Sequence, residues 1–285
     1  MNEETVKQVF EKVAEAAPHI SRGMQQRREY VGEENPSNEK QMEADVWANE
    51  MLKQLITDIE GVGQYASEEE EKVTDCGEGL SVTIDPLDGS SNIPTNNLVG
   101  TIVGIYQEEL PCKGENLIAS FYVLYGPLTT ITKAENGQVN EYVIEEKKGD
   151  QVDIVKASED IELPEPSVYG FGGNKNWKEE FRELESEFSR KLKLRYGGAL
   201  VGDFNQILHH GGVFGYPAIT DAEDGKLRLL FEANPMAHII ETAGGKSSNG
   251  QKSILKISPE DLHQRTPLFL GNEEVIEEIE EATNI

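Results

Sequence analysis

Apolar positions recur along the chain with two periods, one typical of helices and one typical of strands. Helical spacing, as at Val6, Phe10 and Val13, predicts amphipathic helices in the N-terminal half of the chain. Short apolar runs bounded by polar turns predict buried strands there as well. Residues 129–150 fit two further strands around the "ENG" turn at 135–137. The predicted helices span 3–17 and 42–59, and the other predicted strands span 63–67, 80–84, 99–106 and 117–126.

A polar segment with two prolines, residues 156–167, is the best candidate for a boundary. Helical and strand patterns alternate beyond it, which indicates an α/β arrangement. We therefore predict two subdomains, residues 1–160 and residues 161–285. Asn234 is expected to cap a helix, and the acidic tail is expected to form a solvated helix. The predicted strands of this half span 168–172 and 226–232, and the predicted helices span 177–192, 199–211, 234–245 and 272–284.

Acidic residues outnumber basic residues by 53 to 26, which gives a net charge of −27. The recurring apolar periodicity argues against disorder, so we attribute the charge to a surface that stays hydrated at high salt. Basic residues are few, and we expect neither nucleic acid nor an anionic membrane as a partner. The chain has no apolar run of about 18 residues and no signal-peptide core near its start, so we expect a cytoplasmic protein. Cys76 and Cys112 are expected to be reduced thiols.

Three groups of acidic residues follow predicted strands. They are "SEEE" at 67–70, "DPLD" at 85–88 and "LLFE" at 229–232. Open α/β sheets bind ligands at such strand ends, and carboxylates that meet there repel one another unless a cation lies between them. Oxygen ligands favour Mg²⁺ or Mn²⁺ over Zn²⁺. Each group could instead be a surface feature of an acid-rich protein, and for "SEEE" alone that interpretation is the better one.

The stretch "DPLDGSSN" fits a surface position poorly. Pro86 makes the turn rigid, and Gly89 leaves backbone N–H groups accessible. Ser90, Ser91 and Asn92 offer further hydrogen-bond donors. Such a nest of donors can hold an anionic oxygen beside metal ions. The stretch therefore indicates half of a site for metal and phosphate.

The same stretch, with "SEE" before it and "VGTIVGIY" after it, closely resembles the fructose-1,6-bisphosphatase family of Mg²⁺-dependent, lithium-sensitive phosphatases. The likeness covers most of the chain in the order of the family's motifs. The Ser-Ser form of the motif favours the sugar bisphosphatase branch over inositol monophosphatase-like relatives. The further matching segments are "EADVWANEML", "LRYGGALVGD", "GGVFGYPA" and "GKLRLLFEANPMAHIIETAGG".

The resemblance implies roles for residues at the family's motif positions. The implied metal ligands are Glu68, Asp85, Asp88, Glu232 and the carbonyl group of Leu87. The implied catalytic acids, which position and activate the attacking water, are Asp45 and Glu69. The implied substrate-binding residues are Asp88, Gly89, Ser90, Ser91, Asn174, Arg195, Tyr196, Tyr216 and Lys226. Glu39 matches an acid of a mobile loop near a third metal, and Trp177 stands where the family commonly has a tyrosine near the 6-phosphate.

The residues alone leave ordinary interpretations open. Tyr196 and Tyr216 could be half-buried rings, and Asp45 could be a solvated charge on a helix. Lys226 and Arg228 alternate with leucines along a predicted strand, so both could face solvent.

For the whole chain, the resemblance implies a sugar-phosphatase fold, an α/β sandwich in which helix and sheet layers alternate. The implied reaction is hydrolysis of the 1-phosphate of fructose 1,6-bisphosphate, a step of gluconeogenesis, with two or more Mg²⁺ or Mn²⁺ ions. It also implies a homo-oligomer, either a dimer or a tetramer, in which Arg195 reaches the neighbour's 6-phosphate. The alternatives are a broader inositol monophosphatase-like or sedoheptulose-1,7-bisphosphate phosphatase, and a non-catalytic acidic protein that binds cations.

Overall fold

The computed structural model describes residues 2–36, 40–148, 151–220 and 222–283. The helices are α1 Asn2–Met24, α2 Glu43–Thr57, α3 Glu179–Lys191, α4 Leu200–His210, α5 Asn234–Thr242 and α6 Glu273–Thr283. The strands are β1 Tyr30–Glu34, β2 Lys40–Met42, β3 Val62–Ser67, β4 Thr74–Asp75, β5 Leu80–Asp88, β6 Val99–Tyr106, β7 Leu117–Tyr125, β8 Thr129–Glu135, β9 Gln138–Glu146, β10 Val152–Ser158, β11 Val168–Phe171, β12 Lys193–Leu194, β13 Gly212–Tyr216, β14 Leu227–Arg228, β15 Lys246–Ser248, β16 Arg265–Thr266 and β17 Leu268–Gly271.

Two large sheets organise the chain. The first has eight strands in the order β10-β9-β8-β7-β6-β5-β3-β4. Its strands pair antiparallel except β3 and β5, which run parallel side by side. The second sheet has five strands in the order β12-β11-β13-β17-β15, with β11 parallel to both of its neighbours.

Helices cover both faces of both sheets. Helices α1 and α2 pack on the outer face of the eight-stranded sheet, and α4 and α5 fill the space between the two sheets. Helices α3 and α6 cover the outer face of the five-stranded sheet. The result is a sandwich of alternating helix and sheet layers, and the predicted α/β fold is confirmed.

Burial on both faces explains the long apolar strands. Along β6, Val103 packs toward α1 and α2, whereas its neighbour Ile102 packs toward the middle helix layer. Every residue of β6 is buried. A strand with no solvent-facing side has no reason to alternate between apolar and polar residues, which is why "VGTIVGIY" is apolar apart from Thr101.

The segment before α5 differs from the prediction. Residues 226–232 do not form one strand, because only Leu227–Arg228 pair as β14 and Leu229–Ala233 form a π-helical turn that leads into α5. All five residues of the turn are buried, so the sequence had no polar face that could separate strand from helix. Asn234 is therefore the first residue of α5 and not its N-cap, which is Ala233.

Four further segments differ from the prediction. Helix α1 continues past residue 17 to Met24, with Pro18 inside it, and a short hairpin of β1 and β2 follows where the sequence looked irregular. Strand β10 occupies part of the polar segment before the predicted boundary. The acidic helix α6 is solvated on one side only, since Ile276 and Ile279 on its inner side are buried against the five-stranded sheet.

Among the helices of the described residues, none is both long enough and apolar enough to cross a membrane.

Candidate active site

The site begins where β3 and β5 end. Because these two strands are parallel neighbours, their carboxyl ends lie at the same edge of the sheet. The N–H group of Glu68 donates to the carbonyl oxygen of Ile84 at 3.0 Å, which brings the "SEEE" turn beside the "DPLD" segment. Glu68 is 7% exposed and Asp85 is 3% exposed. The topology therefore brings two of the predicted acidic groups together and buries them.

The "DPLD" segment breaks the regular pairing of β5 with β6. The register shifts between Asp85 and Asp88, and the N–H group of Leu87 donates to Asp85 Oδ1 at 3.0 Å. Thr101 on β6 donates from its hydroxyl group to the carbonyl oxygen of Pro86 at 2.8 Å. These bonds hold an irregular backbone in one shape, so both aspartates lie on the same pocket.

Asp88 also meets the start of α4. The N–H group of Val201, in the first turn of that helix, donates to Asp88 Oδ2 at 2.7 Å. Unpaired N–H groups and the helix dipole make a helix N-terminus a favourable position for a carboxylate. The contact ties the eight-stranded sheet to the middle helix layer at the site itself.

Glu232 reaches the same pocket from the π-helical turn. The N–H group of Arg228 donates to Glu232 Oε2 at 2.6 Å. The turn is fastened to the eight-stranded sheet, because the carbonyl oxygen of Leu230 accepts hydrogen bonds from the hydroxyl groups of Thr83 at 3.1 Å and Tyr106 at 3.2 Å. Single π-turns of this kind are frequent at functional sites.

Three carboxylates converge at the centre. Oxygen atoms of Asp85, Asp88 and Glu232 lie within 4.8 Å of one another. Arg228 contributes a positive charge beside them, with its Nη2 atom 3.1 Å from Glu68 Oε1. Four buried carboxylates and one guanidinium leave a strong excess of negative charge.

Burial and mutual repulsion disfavour the ionised forms of these acids. Burial is the largest cause that raises the pKa of Asp85 well above its usual value, and the charges of Glu68, Asp88 and Glu232 add to it. The pKa of Glu232 is raised well above its usual value for the same two reasons, burial first and Glu68 next. Arg228 opposes the shift at Glu232 without cancelling it.

Two further acids of the pocket have raised pKa values. Burial raises the pKa of Asp88 to about 7, although the N–H group of Val201 acts in the opposite direction. Burial raises the pKa of Glu69 to about 8, with added repulsion from Glu68 and Asp45. Carboxyl groups with pKa values near neutrality can take up or release a proton under physiological conditions.

The donor set fits a hard divalent cation. A buried cluster of carboxylates that cannot all ionise alone is stabilised when a cation replaces the missing positive charge. The ligand atoms are oxygens, and neither free cysteine, Cys76 or Cys112, lines the pocket. This composition suits oxygen-preferring cations and not metals that prefer thiolate.

The predicted nest, Gly89–Ser91, lines the same pocket as the carboxylates. Gly89 has a φ angle of +75°, and a side-chain Cβ placed on it would lie 2.4 Å from the Cβ of Ala199, so the position requires glycine. A 3₁₀ helix, Ser90–Thr95, starts directly after it. Ser90 and Ser91 line the pocket. Asn92 differs from the expectation, because its amide donates to backbone carbonyl groups outside the nest.

The candidate catalytic acids lie at the other wall. Asp45 is 3% exposed, and its Oδ2 atom accepts a hydrogen bond from the N–H group of Met42 at 2.7 Å, which fixes it at the start of α2. Glu69 accepts a short hydrogen bond from the side-chain amide of Gln41. Asp45 is therefore not the solvated helix charge that the sequence alone allowed.

The residues predicted to hold the sugar lie on the side of the pocket toward the five-stranded sheet. Tyr196, Tyr216 and Lys226 all line it, and the Lys226 ammonium lies 5.6 Å from the centre of the Tyr216 ring. Arg195 lies on a neighbouring depression and not on this pocket. The side chain of Asn174, and the whole of Glu39, lie outside the described residues.

Trp177 has no place in the pocket wall. Its indole N–H group donates to the carbonyl oxygen of Gly172 at 2.6 Å, and its ring packs on Phe171 and Phe181. The indole N–H is thus already paired inside the fold.

Sequence reasoning missed several pocket residues. The alternation with leucines allows Arg228 to face solvent, but it is 2% exposed, because the strand ends at this residue and the buried π-turn follows. An arginine four residues before Glu232, in a chain with few arginines, was the available signal. Gln41 offered none, because it contacts Glu69 in a distant segment, and no pattern marked Asp203 as the acceptor of the Gly197 and Gly198 N–H groups. The unforeseen lining residues include Tyr30, Asn35, Lys40, Gln41, Asp203 and Arg228.

Comparison with known proteins assigns the chain. The model described as the fructose-1,6-bisphosphatase N-terminal domain matches residues 3–155, and the model of the C-terminal domain matches residues 163–284. The chain belongs to the fructose-1,6-bisphosphatase family. The family resemblance inferred from the motifs is thus confirmed.

Relatives within the family align along nearly the whole chain. A class 1 fructose-1,6-bisphosphatase of Natronomonas pharaonis is 50% identical, covering 98% of this chain and 99% of the relative. Another, of Haloarcula marismortui, is 44% identical, covering 98% of this chain and 94% of the relative. Both come from halophilic archaea, in accord with the acidic composition.

Solved structures agree with the fold. The holo form of Leishmania major fructose-1,6-bisphosphatase superimposes with a TM-score of 0.92 at 26% identity, covering 100% of this chain and 96% of that chain. The chain described above and the Leishmania major protein thus share the same layered sandwich fold. The division into subdomains at residue 160 stays a prediction.

Proposed function

We propose that the pocket hydrolyses the 1-phosphate of fructose 1,6-bisphosphate, giving fructose 6-phosphate and inorganic phosphate, with divalent cations held by its buried acids. The observation that carries the proposal is that a buried carboxylate cluster and the predicted nest, Gly89–Ser91, line one pocket. Membership of the fructose-1,6-bisphosphatase family supports the choice of substrate.

The cations would be Mg²⁺ or Mn²⁺, two or more in each site. Their ligands would be carboxylate oxygens and the carbonyl oxygen of Leu87, from the residues Glu68, Asp85, Leu87, Asp88 and Glu232. When bound, such ions lower the pKa of a coordinated water and neutralise charge on the transferred phosphoryl group. The chain's own part is to hold the acids close together before the ions bind.

Glu69 would accept the proton of the attacking water on its carboxylate. Without bound cations, burial and the neighbouring acids raise the pKa of Glu69 to about 8, so its carboxylate binds a proton more strongly than that of an exposed glutamate. The amide of Gln41 donates to Glu69 Oε2 and fixes the orientation of the carboxylate. Asp45 stands behind this pair and favours uptake of the proton, because a second negative charge nearby makes protonated Glu69 more stable.

Gly89, Ser90 and Ser91 would bind the 1-phosphate through backbone and hydroxyl donors. Tyr196, Tyr216, Lys226 and Asn174 would hold the sugar and the 6-phosphate. Because Arg195 lies outside the pocket of its own chain, we propose that it serves the neighbouring subunit of a homo-oligomer, either a dimer or a tetramer.

We also propose that the enzyme acts in the cytoplasm as part of gluconeogenesis. Cys76 and Cys112 are both free, which suits a reducing compartment.

A substrate panel tests the proposal. The purified chain should release phosphate from fructose 1,6-bisphosphate at least tenfold more efficiently, in kcat/KM, than from inositol 1-phosphate, with Mg²⁺ present. Sedoheptulose 1,7-bisphosphate tests the breadth of the sugar pocket. A preference for inositol 1-phosphate would instead assign the chain to the inositol monophosphatase-like alternative.

A further inference from the structure

Two parts of the proposed substrate site come from distant parts of the chain. The nest that would bind the 1-phosphate, Gly89–Ser91, follows β5, whereas Tyr196, proposed to hold the sugar and the 6-phosphate, precedes α4. Gly197 lies between them. Side chains near it in space form hydrogen bonds both with backbone N–H groups at this residue and with its carbonyl group.

Asp203 binds the N–H groups of this turn. Asp203, on α4, accepts hydrogen bonds from the N–H group of Gly197 on Oδ1 and from the N–H group of Gly198 on Oδ2, the second at 3.0 Å. Asp203 is 4% exposed, so water competes little for these bonds. Gly198 has a φ angle of +84°, a conformation that favours glycine, and the two bonds fasten this turn to the helix.

Two asparagines bind the carbonyl group of Gly197. The oxygen atom of Gly197 accepts hydrogen bonds from the side-chain amides of Asn92 at 3.1 Å and Asn97 at 2.9 Å. Asn92 belongs to the 3₁₀ helix that starts at Ser90, so it is continuous with the nest. The amide of Asn92 donates to Leu98 as well, at 3.0 Å, which keeps its side chain in place.

We propose that Asp203, Asn92 and Asn97 form a clamp on Gly197 that fixes the distance between the nest and Tyr196, which lines the same pocket, and so matches the site to a substrate with two phosphates. The proposal rests on the proposed function. A ligand bound at both ends gains affinity when the two ends are held at the right separation in advance. A ligand bound only at the nest has no such dependence. Asp203, Asn92 and Asn97 are therefore positioning residues that select for a bisphosphate.

Two single substitutions loosen the clamp from opposite sides. Asp203→Asn keeps one side-chain oxygen, so it leaves one of the two glycine N–H groups without an acceptor. Asn97→Asp removes the donor to Gly197 but keeps the Oδ1 atom that accepts from the N–H group of Leu98 at 2.9 Å. Asn97 is exposed, so this variant should fold even if Asp203→Asn does not. Asn140→Asp is the matched control, since its Oδ1 atom likewise accepts a backbone N–H group but far from the pocket.

The measurement compares two substrates and one ligand. For the clamp variants, kcat/KM for fructose 1,6-bisphosphate should fall roughly 5- to 20-fold, mainly through KM. For fructose 1-phosphate, kcat/KM should stay within about twofold, and so should the Kd of inorganic phosphate, measured by titration calorimetry with Mg²⁺. The Asn140→Asp control should match the wild type in all three.

Two results would overturn the inference. Equal losses on both substrates would mean that these residues support the nest or the acids, and unchanged kcat/KM for the bisphosphate would mean that the clamp positions nothing. Failure of the proposed function is a separate result, because then the wild-type chain itself would not hydrolyse fructose 1,6-bisphosphate.

Discussion

Removing one acid from the cluster should stabilise the protein when no metal is bound. Asp88→Asn keeps the size of the side chain and an oxygen that can accept the N–H group of Val201. It removes one of the negative charges that meet with Asp85 and Glu232. In the wild type, burial and the neighbouring carboxylates disfavour the ionised form of Asp88, which is why its pKa is raised.

The size of the effect follows from proton linkage. An aspartate with a pKa of 3.8 when unfolded and about 7 when folded destabilises the fold at pH 7 by about 4 kcal/mol relative to a neutral side chain. Relaxation of the backbone and entry of water reduce this, and we expect about 2 kcal/mol. For a chain of 285 residues that corresponds to a rise in Tm of about 3–4 °C. Because the destabilisation from a raised pKa grows as pH rises from the unfolded value of 3.8 toward the folded one, the difference should be smaller at pH 5 and small below pH 3.8.

Calorimetric melting of both proteins, with chelator and with Mg²⁺, tests this reasoning. With chelator, Asp88→Asn should melt at the higher temperature. With Mg²⁺ the order should reverse, because the wild type has the complete ligand set and gains more from binding. Asp58→Asn, at the exposed end of α2, is the matched control and should shift neither curve by more than about 1 °C. A metal-free variant no more stable than the wild type would refute the electrostatic account of the cluster.

Three other predictions address the water, the second phosphate and the surface charge. Glu69→Gln should lower kcat by roughly 10²- to 10⁴-fold, while Mn²⁺ binding measured by calorimetry stays within about threefold; normal turnover would exclude Glu69 as the base. Arg195→Ala should lower kcat/KM for fructose 1,6-bisphosphate by roughly 10- to 100-fold and leave fructose 1-phosphate almost unchanged; equal losses on both would argue for a structural role. Raising KCl from low to molar concentration should raise Tm, because salt screens the repulsion within a net charge of −27; a flat Tm would contradict this.

Much of the fold is predictable because most elements bury a regular face. The predicted strand at 99–106 coincides with β6, and the predicted helix at 42–59 contains α2. The failures occur where burial is complete or where elements are short. The π-turn Leu229–Ala233 is buried on all sides, and β1 and β2 are short strands that form a two-stranded sheet of their own.

The candidate site divides in the same way. The "DPLDGSSN" stretch indicates its chemistry by itself, because acids, glycine and serines follow one another in sequence. The roles of Arg228 and Asp203 depend on contacts that the sequence does not display. Arg228 pairs with Glu68, which is far away in the chain, and Asp203 accepts from the turn at Gly197, just before its own helix. A single sequence contains the residue types of such contacts but not their distances.

The most direct test of the central claim is to follow hydrolysis of fructose 1,6-bisphosphate by ³¹P NMR, with chelator and then with Mg²⁺ added to the same sample. The account predicts no hydrolysis with chelator, and with Mg²⁺ the loss of the 1-phosphate signal, the appearance of inorganic phosphate and the retention of the 6-phosphate signal. Hydrolysis at the same rate in chelator, or loss of the 6-phosphate with retention of the 1-phosphate, would contradict it.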